Sequence, residues 1–422
     1  RTRYAAASKY AITSLAKLKS DILSAKFDVH KYDLPDEIIN PAKQFLEKAL
    51  NDLFPKGSEP TPLEKQREAH EGFAESRGRL YIGKQEYFDR LDDHAADLGD
   101  PLIVLGESGS GKSSLLANWY HRHKTKHPED VVVVHFVGSS SESTDHIQLL
   151  ARLIAEFNSI FKMDYEIPQD GDEVIKLFRR IIVKANNKAR SRIIIIIDAV
   201  NQLEDTFAHN MTWLPSFYPP AIRLIVSTLS GRCYESLMER DWNKMTVIPL
   251  DYAEREKIAK AYLSDFRKSL SAEQLKTIVG APQCSNALFL RTVLNELRVF
   301  GRSRKRLANR TKELLTATTV AELFEKSLER LTTLHGVMVK ESMSVLYASR
   351  RGLSYPEILD VITKSTSKKF SPFYFSVREN LVSKGGLLNF FHDHMKQAVK
   401  RMYMDSSNEL KAHNSLANYF KD

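Results

Sequence analysis

The sequence has little cysteine, no long apolar run and no export signal. Its 422 residues include two cysteines, Cys233 and Cys284, far apart along the chain. Two such thiols cannot build a disulfide framework, nor a four-ligand zinc site on their own. That fits a reducing compartment. No stretch approaches the ~18 consecutive apolar residues that a membrane helix needs. The most apolar piece, Ile193 to Ile197, has the length of a strand. No apolar core follows Arg1 and Arg3, so the start does not read as a signal peptide. The expected location is cytoplasmic. The first residue is arginine rather than methionine, so a longer parent protein is expected. Glycine and proline number 17 and 15, too few for a collagen. Hydrophobic residues at 42% and charged residues at 27% exclude a disordered tail.

What is present is enough chain for several packed units, since a common domain has about 150 residues. The 62 basic and 53 acidic residues leave a net charge of +9. Such an excess is compatible with nucleic acid, an acidic membrane or phosphate ligands. Residues 1–56 read as helical, with Ile12, Leu15, Leu18 and Ile22 at helical spacing. Residues 57–78 read as a linker, opened by the proline- and glycine-rich run Pro55-Lys-Gly-Ser-Glu-Pro60-Thr-Pro62. Over 79–250, apolar runs at Leu102 to Leu105, Val131 to Val137, Ile193 to Ile197, Leu224 to Val226 and Val247 to Leu250 alternate with amphipathic helical patterns. That alternation predicts an α/β unit with a five-stranded, mainly parallel sheet covered on both faces. Helical patterns continue over 251–300. A basic stretch within 301–318 reads as a solvated linker, and 319–422 forms a last unit of short elements.

The run Gly106-Glu107-Ser108-Gly109-Ser110-Gly111-Lys112-Ser113 fits G-x-x-x-x-G-K-[ST] without a mismatch. A strand precedes it and a helix opening at Ser114 comes after it, as a phosphate loop requires. Glycines let the backbone curl so that successive amides face phosphate oxygens, and the helix amino terminus adds positive charge. Lys112 is expected to neutralise the β- and γ-phosphates of ATP, and Ser113 to ligate Mg2+. Asp198 ends the isoleucine strand, where a carboxylate reaches the same magnesium ion. The three histidines His121, His123 and His127 lie among Arg122, Lys124 and Lys126, whose charge disfavours a metal.

With these residues in place, the chain resembles the signal-transducing STAND NTPases, the class of the NACHT and NB-ARC switches. Ile82-Gly83-Lys84 looks like the family's hydrophobic-Gly-Arg motif, which implies an adenine contact near Gly83. Gly280-Ala281-Pro282 looks like its G-x-P motif, which implies Pro282 beside the adenine. Phe391-His392-Asp393 looks like its winged-helix M-H-D motif, which implies a contact of His392 with the β-phosphate of ADP. Leu116-Ala-Asn-Trp119, His135-Phe-Val-Gly-Ser139 and Asp198-Ala-Val-Asn-Gln-Leu203 resemble a branch in which the NTPase precedes a tetratricopeptide array. The resemblance implies a helical subdomain, then a winged-helix subdomain, and protein partners held by domains outside this chain. It also implies self-association and, for that branch, a place at the cilium.

Two departures shape the expected activity. Where many NACHT proteins read D-x-x-D-E, this chain reads Asp198-Ala-Val-Asn201-Gln202. Asn201 can orient water but is a poor base; Glu204 or Asp205 could substitute as the base but lie further along. Where NB-ARC relatives carry an arginine after the fourth strand, Ser227-Thr228-Leu229 stands here, with Arg232 beyond. The expectation is a regulatory switch with slow hydrolysis. The alternatives are a motor-like ATPase on nucleic acid and a small-molecule kinase. The first needs an efficient base, an arginine finger and salt-sensitive binding; Gly301 to Lys312 could bind nucleic acid or anionic lipid, and residues 365–369 could be a basic wing or a plain loop. The second is disfavoured by about 170 residues of helical units after the sheet, where a lid would be expected.

Overall fold

In the computed structural model of the chain, residues 9–24, 35–55, 59–78, 81, 83–140, 142–299, 304–362, 367–384 and 386–421 are described. Ile82, residues 56–58 and 301–303, and residues 365–366, all named above, lie outside them. The chain divides into two compact units, residues 1–62 and 63–422. The first holds α1 (Lys9–Ser24) and α2 (Ile39–Leu53). Both are helical, as the spacing predicts, and α2 buries none of its side chains.

The second unit opens with α3 (Pro62–Gly78), α4 (Gln85–Ala96), β1 (Leu102–Leu105), α5 (Lys112–Lys126), β2 (Val131–Phe136), α6 (His146–Phe161), α7 (Gly171–Lys188), β3 (Ile193–Asp198), β4 (Ile222–Thr228), α8 (Arg232–Met238) and β5 (Asn243–Thr246). The five strands form one sheet in the order β2-β3-β4-β1-β5, and every pairing is parallel. Successive side chains of a strand point to opposite faces. Ile193, Ile195 and Ile197 accordingly join one core with α6, α7 and Trp213. Ile194 and Ile196 join another with Ala74 of α3, Leu91 of α4 and Trp119 of α5. A strand buried on both faces needs apolar residues at every position, which is why β3 reads as an unbroken run.

Two expectations require correction. The linker expected over 57–78 is instead mostly helix: α3 buries His70 and Ala74 against the sheet unit. The Nδ1 of His70 accepts from the amide of Phe136 at 3.0 Å. The fifth strand lies at Asn243–Thr246, immediately before the apolar run Val247 to Leu250. It is an edge strand that buries only Met245, so it carries no apolar run.

Beyond the sheet come α9 (Tyr252–Asp265), α10 (Ala272–Gly280), α11 (Ala287–Arg298), α12 (Arg304–Leu314), α13 (Val320–His335), α14 (Val337–Ala348), β6 (Leu353–Ser354), α15 (Tyr355–Val361), α16 (Ser367–Val377), β7 (Leu381–Lys384), β8 (Leu387–Phe390), α17 (Asp393–Tyr403) and α18 (Ser406–Tyr419). Capping boxes start three of these helices, pairing Asp251 with Glu254, Ser271 with Gln274 and Ser354 with Glu357. The three short strands make an antiparallel sheet in the order β6-β8-β7. One core runs from Ala259 to Leu416 and joins the two units expected at 251–300 and 319–422. The stretch expected as a solvated linker holds α12. Its Arg310 is buried and donates to Glu296 of α11 at 2.8 Å, so one of the six basic residues there serves the interior of the protein.

Candidate functional site

The carboxyl ends of parallel strands form one edge, where α/β sheets place their ligands. Residues 106–111 connect β1 to α5 at that edge. Gly109 has φ +77°, and a Cβ there would lie 2.7 Å from Asn286 Oδ1 and 2.8 Å from Leu288 Cβ. Gly111 has φ +102° and caps α5. Both conformations are costly for any other residue. The loop is thus curled in the manner its sequence predicts.

Lys112 is buried, and its ammonium donates to the carbonyls of Gly106 at 2.7 Å and Glu107 at 3.0 Å. Burial lowers its pKa to about 8, against the opposing pull of Asp198 and Glu107. β4 lies between β1 and β3, and its Ser227 bridges toward the carboxylate. The Ser227 hydroxyl donates to Asp198 Oδ1 and accepts from the amide of Ala199 at 2.8 Å. Asp198 is fully buried, yet its Oδ2 has no hydrogen-bond partner. An orphaned carboxylate oxygen beside a cationic loop suits a magnesium ion, which Asp198 and Ser113 would hold and which would neutralise phosphate charge. The cofactor set ATP or ADP with Mg2+ therefore fits the residues present.

The two residues considered for water activation are engaged elsewhere. Asn201 Oδ1 accepts from the amide of Leu229 at 3.2 Å, tying the turn after β3 to the end of β4. Glu204 is bound to Thr144, whose hydroxyl donates to its carboxylate at 2.8 Å. Arg232 likewise donates to Asn210 at 2.9 Å. Gly83 sits against the Tyr81 ring, which a Cβ at that position would overlap. Pro282 is exposed and opens a 3-10 turn, Pro282–Ser285. His392 is partly buried at the start of α17, between the rings of Phe391 and Phe324. Burial, with Arg77 and Arg291 nearby, holds its pKa well below the usual histidine range, so it is neutral.

Three residues that the sequence reading missed touch the loop directly. Asn286 caps α11 by accepting from the amides of Leu288 at 3.0 Å and Phe289 at 3.1 Å. Its side-chain amide donates to the carbonyl of Ser108 at 2.8 Å. The amide of Leu288 also donates to the carbonyl of Gly109 at 3.0 Å. His394, rather than His392, reaches the loop, with Nε2 3.0 Å from Ser108 Oγ. A fourth missed residue is Arg77, in the last turn of α3. Its guanidinium lies 3.7 Å from the centre of the Phe391 ring. An asparagine before an apolar helical run is a start signal. Nothing local in the sequence marks His394 or Arg77.

The thiols are buried, and burial pushes Cys233 up to about 11 and Cys284 up to about 12, as expected of inert cysteines. Among the described residues no helix is long and apolar enough to cross a membrane.

Comparison with known proteins places these features. No protein-family model matches the chain. A TPR repeat-containing protein of Dictyostelium discoideum is 25% identical over 96% of this chain and 29% of its own length. Human nephrocystin-3 is 26% identical over 80% of this chain and 26% of its own length. Human NACHT domain- and WD repeat-containing protein 1 is 24% identical over 81% of this chain and 24% of its own length. The chain thus spans less than a third of each of these relatives. Among solved structures, a STAND protein with a tetratricopeptide repeat sensor from Pyrococcus horikoshii aligns at a TM-score of 0.50. Its identity is 17%, covering 81% of this chain and 45% of that one, so it speaks to the fold. The chain is similar to nephrocystin-3 and to the NACHT domain- and WD repeat-containing proteins, and it has a fold like that of the STAND ATPase.

Proposed function

We propose that this chain is a nucleotide-operated switch inside a multidomain signalling scaffold, and that it hydrolyses ATP slowly. One observation carries the reading. The phosphate loop is held by residues about 180 and 290 positions downstream, Asn286 through Ser108 and His394 through the Ser108 hydroxyl. A ligand in that loop would lie beside residues that touch α11 and α17. It shifts their arrangement to the extent that it binds two arrangements unequally.

In this reading, the backbone of Gly106 to Ser114 and the Lys112 ammonium bind phosphate. Ser113 and Asp198 hold magnesium, which supplies charge neutralisation between the phosphates. Residues 319–422 act as a winged helix that closes on bound ADP. Slow turnover is the consequence of the engaged side chains: Asn201 and Glu204 are both tied to neighbouring segments, and neither is placed as a base. Partner binding would fall to tetratricopeptide repeats or other modules outside this chain. The setting expected from the resemblance to nephrocystin-3 is cytoplasmic, at the cilium.

The test is to extract nucleotide from the purified protein and identify it. ADP retained through dialysis, and lost in Lys112→Ala, is the expected result. No ATP or ADP binding by calorimetry would overturn the reading. Turnover above about 1 per second, within the ordinary enzyme range, would overturn the slow-hydrolysis part.

A further inference from the structure

Arg77 belongs to the last turn of α3. It lies between two aromatic rings, 3.7 Å from the centre of Phe391 and 4.9 Å from that of Phe73. Its Nε is buried without a hydrogen-bond partner. Asp198 lies within electrostatic reach, and Arg291 is close enough to repel it. Burial, with a smaller push from Arg291, lowers its pKa to about 9, so it is still a cation at neutral pH. Lys112 and Arg77 thus both feel Asp198, whose Oδ2 is itself unpartnered, and Lys112 also feels Glu107. A cationic donor, Arg77 Nε, and a carboxylate oxygen, Asp198 Oδ2, are thus both left unpartnered in one neighbourhood.

A guanidinium presents its donors in a planar fork that matches phosphate oxygens. Charge-assisted hydrogen bonds to phosphate outweigh a cation–π contact, so an oxyanion within reach draws Arg77 off the ring. Phe391 matters because it leads directly into α17. His392 is next to it, α17 begins at Asp393, and His394 touches Ser108 of the loop.

Building on the nucleotide reading above, we propose that Arg77 binds the terminal phosphate of a nucleoside triphosphate and leaves the Phe391 ring as it does so. ATP then loosens the segment Phe391 to His394, whereas ADP leaves the stack in place. The triphosphate is distinguished from the diphosphate by a residue of the helix before the sheet.

The experiment measures ATP and ADP affinities of the full-length protein by calorimetry in magnesium buffer. The variants are Arg77→Ala, Arg77→Lys and Phe391→Leu. Arg77→Ala is expected to weaken ATP by about 10-fold or more and ADP by about 2-fold or less. Arg77→Lys keeps the charge without the fork and should fall between. Phe391→Leu frees the guanidinium and should raise the preference for ATP over ADP. An unchanged ATP-to-ADP ratio in Arg77→Ala, or ATP weakened in Phe391→Leu, would overturn this inference while leaving the nucleotide reading intact. If Arg77→Ala does not fold, the other two variants decide the matter. Wild-type protein that binds neither nucleotide would overturn both.

Discussion

Asn286 offers the sharpest test of how the loop is coupled to the rest of the molecule, because its side chain does two separable things. Its oxygen accepts from the amides of Leu288 and Phe289 and so caps α11. Its nitrogen donates to Ser108 in the phosphate loop. Losing a helix cap costs about 1 kcal/mol, and losing one neutral hydrogen bond costs about another 1 kcal/mol. Asn286→Ala removes both, so it should destabilise by about 2 kcal/mol. Asn286→Asp keeps an oxygen for the cap and loses only the donor, so about half that cost remains. Urea unfolding monitored by the fluorescence of Trp119, Trp213 and Trp242 is the assay, since all three are buried in the sheet unit that holds the loop. The two variants should also differ in nucleotide affinity. The aspartate sets a negative charge beside a phosphate site and should bind ATP more weakly than the alanine variant, although it is the more stable protein. Equal destabilisation by the two substitutions would refute the division into cap and donor. Tighter ATP binding by the aspartate variant would refute the placement of phosphate at the loop.

Two further predictions concern charge. Burial lowers the Lys112 pKa to about 8 from 10.5, so its phosphate affinity depends on a proton that the free protein loses above pH 8. Nucleotide affinity should fall by about tenfold per pH unit above that value, and Lys112→Arg should flatten the profile in calorimetry. Stability moves the other way: between pH 8 and 10.5 the unfolded chain holds a proton that the folded one has released, so this lysine's contribution to stability rises with pH across that window. Beside the core that runs from Ala259 to Leu416, Glu296 accepts from Arg310 at 2.8 Å and from Arg330 at 2.8 and 2.9 Å. Glu296→Ala would leave Arg330 without this carboxylate, while Arg310 keeps Glu313 at 2.7 Å and the Lys326 carbonyl at 3.1 Å, so it should cost about 3 kcal/mol in denaturant unfolding, the low end for a broken buried pair; a loss below about 1 kcal/mol, the range of exposed ion pairs, would sink that account.

Legibility in the sequence tracks burial and contiguity. β3 is readable because both of its faces are buried, which forces an apolar side chain at each position before Asp198. β5 is not, because an edge strand that buries only Met245 imposes no pattern. α3 reads as linker for a related reason: its seventeen residues bury only His70 and Ala74, so its periodicity is faint. The consequence of that misreading falls on the site, since α3 carries Arg77. The phosphate loop shows the opposite case. Its ligands are backbone amides and one lysine within eight consecutive residues, so the motif contains its own geometry. Asn286, His394 and Arg77 belong to the site only because two separate cores bring α11, α17 and α3 to one edge of the sheet. The contacts of Asn286 and His394 with the loop span 178 and 286 residues of chain, and no local spacing encodes those. The motif therefore carries the proposed phosphate contacts, whereas the proposed response to binding resides in residues that only the fold brings together. That is why Asn286 and Arg77, more than Lys112, are the positions at which a switch can be told apart from a simple nucleotide pocket.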